Sequence, residues 1–229
     1  LEDGYGDEFG IIKGEEAYLN INTIIKNIDK RFYVDATNNL VMFTDATKTY
    51  KTKIGGKTIN ETENTDYVIS FMDGKNCYVN VKFVKKYVDF DYKVVKAEGK
   101  SPARIVLKYT SGEKNQMTVK SNIEMRTKAD YQNLIVTTLK KNTKVTVLEE
   151  SGDWTKVGTD DGFMGYVPAK KLKDKETKKT DFKSDADTYT HVLMDKKISL
   201  GWNAITNLTA NGNLETIIEH TKGLNVISP

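Results

Sequence analysis

An internal repeat constrains the first half of this chain more than any other feature of the sequence. Tyr18-Leu19-Asn20-Ile21 returns 60 residues later as Tyr78-Val79-Asn80-Val81. Apolar residues then follow at helical spacing, namely Ile21, Ile24, Ile25 and Ile28 in the first copy and Val81, Val84, Tyr87 and Val88 in the second. Asn20 and Asn80 stand where a helix N-cap belongs, because their side-chain oxygens can accept an N–H from the first turn. Each copy therefore predicts a strand followed directly by a short helix.

Two further strands are predicted after each helix. Residues 32–34 and 40–43 form this pair in the first copy, and residues 92–94 and 104–107 form it in the second. The turns between them fall at residues 35–39 and 98–102. Between the copies the sequence predicts strands near residues 50–54 and 67–72, with turns at Gly55-Gly56 and Asp73-Gly74. Residues 1–118 are therefore predicted to be an α+β domain built from a repeated strand-helix-strand-strand unit.

This pattern resembles the copper amine oxidase N-terminal-like domain found at the front of Gram-positive surface proteins. In that family the motif before the helix is Tyr-Val-Pro-Leu, and here Asn20 and Asn80 replace the proline. Residues 1–118 contain no histidine, so we expect no copper site despite the name of the domain. The resemblance implies a surface-associated module, and a scaffold or spacer without a ligand is an equal alternative.

The pattern changes to short alternating strands between residues 119 and 174. Strands are predicted at residues 123–126, 143–148, 153–157 and 163–167, with turns at residues 150–153 and 159–162. Short strands at close spacing without a long helix predict a small β-barrel.

Four sequence motifs in this region resemble the bacterial SH3-like domain of cell-wall hydrolases. They are Met125-Arg126, the run from Asn142 to Leu148, Gly152-Asp153-Trp154-Thr155-Lys156-Val157 and Gly165-Tyr166-Val167. Asn142 replaces the usual glycine, and Tyr166 replaces a tryptophan. Related domains bind peptide stems or cross-bridges of peptidoglycan, which implies a groove lined by Tyr131, Trp154 and Tyr166. Trp154 and Tyr166 are equally compatible with a place in the core, whereas Tyr131 belongs to a predicted loop.

The last part of the chain, residues 191–229, predicts a strand, a connection and a second strand. The two apolar runs are residues 198–202 and 224–227. A strand pair left uncovered exposes a sheet edge, so we expect the chain to be the front part of a longer protein and to self-associate through these strands.

These strands resemble the opening of a glycoside hydrolase family 18 barrel, in the bacterial branch of spore and cell-wall lytic enzymes. The matching residues are Lys197, Ile198, Leu200, Gly201, Trp202, Thr221, Lys222, Gly223, Asn225, Val226, Ser228 and Pro229. The resemblance implies an incomplete (β/α)8 barrel start and a parent enzyme acting on N-acetylated glycans of peptidoglycan or chitin. The catalytic signature Asp-x-x-Asp-x-Asp-x-Glu is absent, so no catalytic residue is expected here. Trp202 is assigned either to barrel core packing or to sugar contact.

Charge and cysteine content limit the remaining possibilities. The net charge is only +3 and the lysine-rich run at residues 170–183 is mixed in sign, which favours a solvated linker over a nucleic-acid site. The linker is assigned to residues 175–190. No apolar run is long enough to span a membrane. The single cysteine, Cys77, excludes an internal disulfide and a cysteine-ligated zinc site, and its strand-like neighbours indicate a buried residue. We therefore expect no metal or cofactor.

Together these features predict a non-catalytic targeting or spacer region of a secreted glycoside hydrolase. The expected partner is the peptide or glycan of peptidoglycan, and the expected location is extracellular and associated with the cell wall. The alternative is a surface adhesion or scaffold protein that binds peptidoglycan and has no hydrolase activity.

Overall fold

The computed structural model describes residues 1, 4–6, 8–99, 101–184, 195, 197–202, 204, 207 and 212–228. The fold is rich in β strand. The chain divides into two compact units, Leu1–Asp187 and Thr188–Pro229. Within the first unit we distinguish an N-terminal module, residues 8–109, and a β module, residues 112–180.

The N-terminal module consists of small antiparallel sheets and two short helices. Its elements are β1 (Ile11–Lys13), β2 (Glu16–Asn20), α1 (Ile21–Asn27), β3 (Phe32–Asp35), β4 (Leu40–Thr44), β5 (Thr49–Lys53), β6 (Thr58–Ile59), β7 (Glu63–Asn64), β8 (Ser70–Asp73), β9 (Asn76–Asn80), α2 (Val81–Tyr87), β10 (Asp91–Val95) and β11 (Arg104–Lys108). They form sheets in the orders β1-β2-β9-β8, β3-β4-β5, β6-β7 and β10-β11. The segments β2-α1-β3-β4 and β9-α2-β10-β11 thus share the predicted element order.

The first strands of these two segments pair about a common centre. In the antiparallel pair of β2 and β9, Leu19 lies opposite Val79, the residue 60 positions later. Tyr18 lies opposite Asn80, and Asn20 lies opposite Tyr78. Two equivalent copies related by a twofold axis produce this reciprocal register. The duplication itself remains a prediction from the sequence.

Both predicted N-caps are confirmed. The Asn20 side-chain oxygen accepts the backbone N–H of Asn22 at 2.9 Å, and the Asn80 oxygen accepts that of Lys82 at 2.9 Å. Each asparagine is buried and also donates from its amide nitrogen: Asn80 donates to Glu16 at 2.9 Å. Each asparagine therefore ends a strand, starts a helix and ties the junction to a neighbouring segment.

Aromatic side chains fill much of the module's core. Phe32, Phe43, Phe83 and Phe90 are fully buried. The rings of Phe43 and Tyr87 stack with their centroids 4.8 Å apart, so α2 packs directly on the sheet formed by β3, β4 and β5. Arg31 contacts the same aromatic cluster, with its guanidinium 4.9 Å from the Phe43 ring centre.

The β module is a single antiparallel sheet of seven strands. Its elements are β12 (Gly112–Val119), β13 (Ile123–Arg126), β14 (Ile135–Leu139), β15 (Lys144–Ser151), β16 (Trp154–Gly158), β17 (Met164–Pro168), a 3-10 helix (Ala169–Lys171) and β18 (Leu172–Thr180). The strand order is β14-β13-β17-β16-β15-β12-β18. Its core contains Val119, Met125, Leu139, Val145, Val157, Val167 and Leu172.

Two sequence-based boundaries differ from the structure. The predicted division between residues 118 and 119 falls within the sheet, because β12 pairs with both β15 and β18. The predicted linker, residues 175–190, begins inside β18, which continues to Thr180. Backbone hydrogen bonds to β12 hold this charged segment as a strand although it has almost no apolar residues. Residues 185–190 lie outside the described residues.

The described residues of the second unit form a parallel strand pair and a helix. β19 (Leu200–Trp202) pairs in parallel with β20 (Val226–Ser228), and α3 (Leu214–His220) lies between them in sequence. This is the predicted strand, connection and strand. A parallel pair with a helix in its connection is the basic unit of α/β folds, although two strands do not make a barrel. Predictions for residues 191–194, 196 and 229 lie outside the described residues.

None of the helices in the described ranges is long enough and apolar enough to cross a membrane.

Removing the Asn80 side chain should destabilise the N-terminal module. We expect Asn80→Ala to lower the free energy of unfolding by about 1–2 kcal/mol, because α2 loses its cap and Glu16 loses a hydrogen bond. Urea unfolding of the whole chain measures this. Asn22→Ala is the matched control, since Asn22 is exposed in α1, and it should not reduce stability. Equal stability of the Asn80 variant and the unsubstituted chain would contradict this role of the cap.

Candidate functional site

Two of the predicted binding residues lie on the outer face of the β module. In β16, Thr155 and Val157 are buried while Trp154 is half-buried, and in β17 Val167 is buried while Tyr166 is half-buried. Neither Trp154 nor Tyr166 belongs to the hydrophobic core cluster. The strand register places Trp154 opposite Pro168, two residues from Tyr166, so the two aromatic residues are diagonal neighbours on one face.

The third predicted residue, Tyr131, contacts this face from a loop. The ring centroids of Tyr131 and Trp154 are 4.8 Å apart at an interplanar angle of 61°, an edge-to-face contact. The Tyr131 side chain is 57% exposed, so most of its surface is available to a ligand. We call Tyr131, Trp154 and Tyr166 the aromatic face.

Hydrogen bonds fix the loop that contains Tyr131. The Asp130 carboxylate accepts the backbone N–H of Gln132 at 3.0 Å, and the N–H of Thr127 donates to the carbonyl of Leu134 at 2.9 Å. Arg126 donates to the Asn133 carbonyl at 2.7 Å. The loop is therefore closed at its base and held from β13, which presents Tyr131 in a defined position.

Arg126 also connects the loop to the sheet. It lies opposite Tyr166 in the pairing of β13 with β17 and forms an ion pair with Glu124. Its side chain is only 16% exposed. Because its guanidinium already donates to Asn133 and Glu124, we regard Arg126 as a residue that positions the aromatic face.

Backbone geometry explains two of the sequence motifs. A side chain at Gly165 would place its Cβ 2.6 Å from the carbonyl oxygen of Arg126, so only glycine allows β13 and β17 to approach here. Asn142 has a φ of 68°, in the left-handed region. Glycine and asparagine both tolerate this conformation, which accounts for asparagine at a position where the resembling family has glycine.

Two exposed apolar residues beside the aromatic face were not predicted from the sequence. Leu134 is 79% exposed at the end of the loop, and Ile135 is 50% exposed at the start of β14. Ile135 lies opposite Arg126, next to Tyr166 across the sheet. The run Leu134-Ile135-Val136 was the available signal, but an apolar run alone does not show which of its residues face outward.

Trp202 lies in the second unit. It is 81% exposed at the end of β19, opposite Ser228 of β20. In the described part of this unit it therefore has a surface position, where an aromatic ring can stack on a sugar.

Cavities occur in other parts of the first unit. One of about 720 Å³ lies against β5 and is lined by residues such as Lys51, Lys53 and Asn60. Another, of about 440 Å³, lies between the N-terminal module and the β module.

No group of three or more His, Cys, Asp or Glu side chains is arranged to hold a metal ion in the part of the chain that the structure describes. Cys77 is buried in β9, and burial raises the pKa of its thiol to about 11. A thiol with so high a pKa is a weak nucleophile at neutral pH, which agrees with a structural role. His191, the first of the two histidines, lies outside the described residues.

Comparison with known families identifies the β module. Residues 121–173 match the family described as Bacterial SH3 domain. The chain contains a bacterial SH3 domain. No curated protein and no solved structure matches this chain.

The family match covers the aromatic face but only part of the sheet. Tyr131, Trp154 and Tyr166 all fall within the SH3 domain. β12 and most of β18 lie outside residues 121–173, yet they belong to the same sheet. The SH3 domain is thus extended at one edge by a two-stranded ribbon, whereas the aromatic face lies on β16, β17 and the loop before β14.

Cys77 should be unreactive in the native protein. Because its pKa is raised to about 11, the thiol stays protonated at pH 8, and burial also blocks access. We expect almost no reaction with Ellman's reagent in the native state and one reacting thiol per chain in guanidinium. Rapid reaction of the native protein would contradict the buried position.

Proposed function

We propose that the aromatic face binds the peptide part of bacterial peptidoglycan and that this chain attaches a larger surface protein to the cell wall. A bacterial SH3 domain suggests such a role, and it is a binding domain without catalytic activity. The observation that supports the site most directly is the contact of exposed Tyr131 with Trp154 outside the core.

The chemistry of the aromatic face suits an extended peptide. Tyr131, Trp154 and exposed Leu134 offer flat apolar surface, and the aromatic residues combine this surface with N–H and O–H groups. Such residues bury area on binding at little cost in side-chain entropy. The surrounding loop is already fixed by Asp130 and Arg126, so little order has to be created when a ligand binds.

Truncation of the aromatic face should weaken wall binding without unfolding the domain. We expect Tyr131→Ala combined with Trp154→Ala to reduce retention on purified peptidoglycan about tenfold or more, since both rings contribute contact surface. A pull-down with quantified bound protein measures this, and circular dichroism confirms that the sheet is intact.

Tyr33→Ala is the matched control. Tyr33 is 42% exposed, but it lies in β3 of the N-terminal module, so its loss should leave retention unchanged. Unchanged retention of the double variant would contradict a role for the aromatic face. An equal loss with Tyr33→Ala would show that exposed aromatic surface alone causes retention.

We also propose that the parent protein is a glycoside hydrolase of family 18 that acts on peptidoglycan or chitin. The parallel pair of β19 and β20 with α3 between them supports it, because barrels of this class are built from such units. Under this proposal, Trp202 contacts sugar. The exposed Ile198 and Leu200 then form the surface for self-association. Release of reducing ends from chitin or peptidoglycan by the native-length protein tests the proposal, and inactivity on both would contradict it.

The remaining parts of the proposal are a spacer role for the N-terminal module and an extracellular, wall-associated location. The resemblance of the repeat to the copper amine oxidase N-terminal-like domain favours the first. A peptidoglycan ligand requires the extracellular, wall-associated location.

A further inference from the structure

A cleft of about 440 Å³ separates the N-terminal module from the β module. One wall is formed by β11, including Val106 and Lys108. The other is formed by β12, β15 and β18, including Lys114, Thr146 and Lys178. The cleft is therefore complete only when both modules are present, and its lining is distinct from the aromatic face.

Direct contacts join the N-terminal module to the β module beside the cleft. Arg104 donates to the Asp161 carbonyl at 2.8 Å, and its guanidinium lies 4.1 Å from the centre of the Phe163 ring. Lys108 forms an ion pair with Asp160 at 2.8 Å. Because these residues join β11 to the turn between β16 and β17, the cleft is a fixed feature of the first unit.

Positive charge collects around the cleft. Lys114 and Lys178 lie directly opposite each other on β12 and β18, which brings two lysines to the same part of the cleft. A hydrogen bond from Lys108, together with the charges of Lys108, Lys93 and Lys178, holds the pKa of Asp160 below its ordinary value. Three lysines, Lys108, Lys114 and Lys178, thus line the cleft together with the two carboxylates of Asp160 and Glu113.

The rest of the lining is rich in hydroxyl and amide groups. Thr110, Thr146, Thr159 and Thr180 line the cleft together with Asn115 and Gln116. These groups donate and accept hydrogen bonds and therefore match a ligand with many hydroxyls. Val106, Leu148 and Met164 supply the apolar part of the surface.

We propose that this cleft binds an anionic polyol, a chain in which hydroxyl groups accompany phosphate or carboxylate groups. The lysines bind the anions, and the threonines and amides bind the hydroxyls. This site is separate from the proposed peptide site, and either can fail without the other.

Titration of the whole chain with two defined polymers tests the proposal. Poly(glycerol phosphate) provides phosphate, polygalacturonate provides carboxylate, and neutral dextran is the uncharged control. We expect calorimetry to show binding of one or both anionic polymers, weakening as salt rises, and no binding of dextran. Whichever anionic polymer binds more tightly identifies the preferred anion.

Two adjacent lysines of β18 make a matched pair of variants. Lys178 lines the cleft, whereas Lys179 is not part of its lining and, by strand alternation, its side chain projects to the opposite face of β18 from that of Lys178. We expect Lys178→Gln to weaken binding roughly tenfold. Lys179→Gln removes the same charge and should leave the affinity nearly unchanged, and Tyr131→Ala should do so as well.

The proposal is overturned if neither anionic polymer binds at low salt. It is also overturned if Lys178→Gln and Lys179→Gln weaken binding equally, because net charge would then explain the affinity. Tighter binding of an oligonucleotide with the same number of phosphates would assign the cleft to nucleic acid instead.

Discussion

Strand alternation in β16 and β17 determines both the inward-facing core residues of these strands and the candidate site of the β module. Thr155, Val157 and Val167 point inward, so Trp154 and Tyr166 must point outward. A shift of the register by one residue would bury the aromatic side chains and expose the valines, so core packing keeps the aromatic face in place. Gly165 permits the close approach of β13 that brings Arg126 beside Tyr166.

The sequence predicted the features that depend on local chemistry. The caps at Asn20 and Asn80 and the hairpin turns follow from neighbouring residues, and Trp154 and Tyr166 were marked by family motifs. Features that depend on a distant partner were missed. The sequence of β18 resembles a linker because β18 is an edge strand whose two faces are mostly exposed to solvent, so it needs no alternation of apolar residues. Only its pairing with β12 makes it a strand.

The same difference between local and distant contacts explains which parts of the candidate site were predicted from the sequence. Tyr131 was predicted as an exposed loop residue, but its contact with Trp154 depends on a loop held by Arg126 from another strand. Leu134 and Ile135 could not be assigned to a face before the pairing of β13 and β14 was known. The cleft between the modules arises from contacts between Arg104 and Asp161, 57 residues apart, which no local pattern indicates.

Chemical-shift mapping with a soluble peptidoglycan peptide tests the central claim most directly. The account predicts that amide signals of residues 127–135, together with those of Trp154 and Tyr166, move on titration of the isotope-labelled chain and that the N-terminal module stays unchanged. Shifts confined to the N-terminal module or to the second unit, with none on the aromatic face, would contradict it.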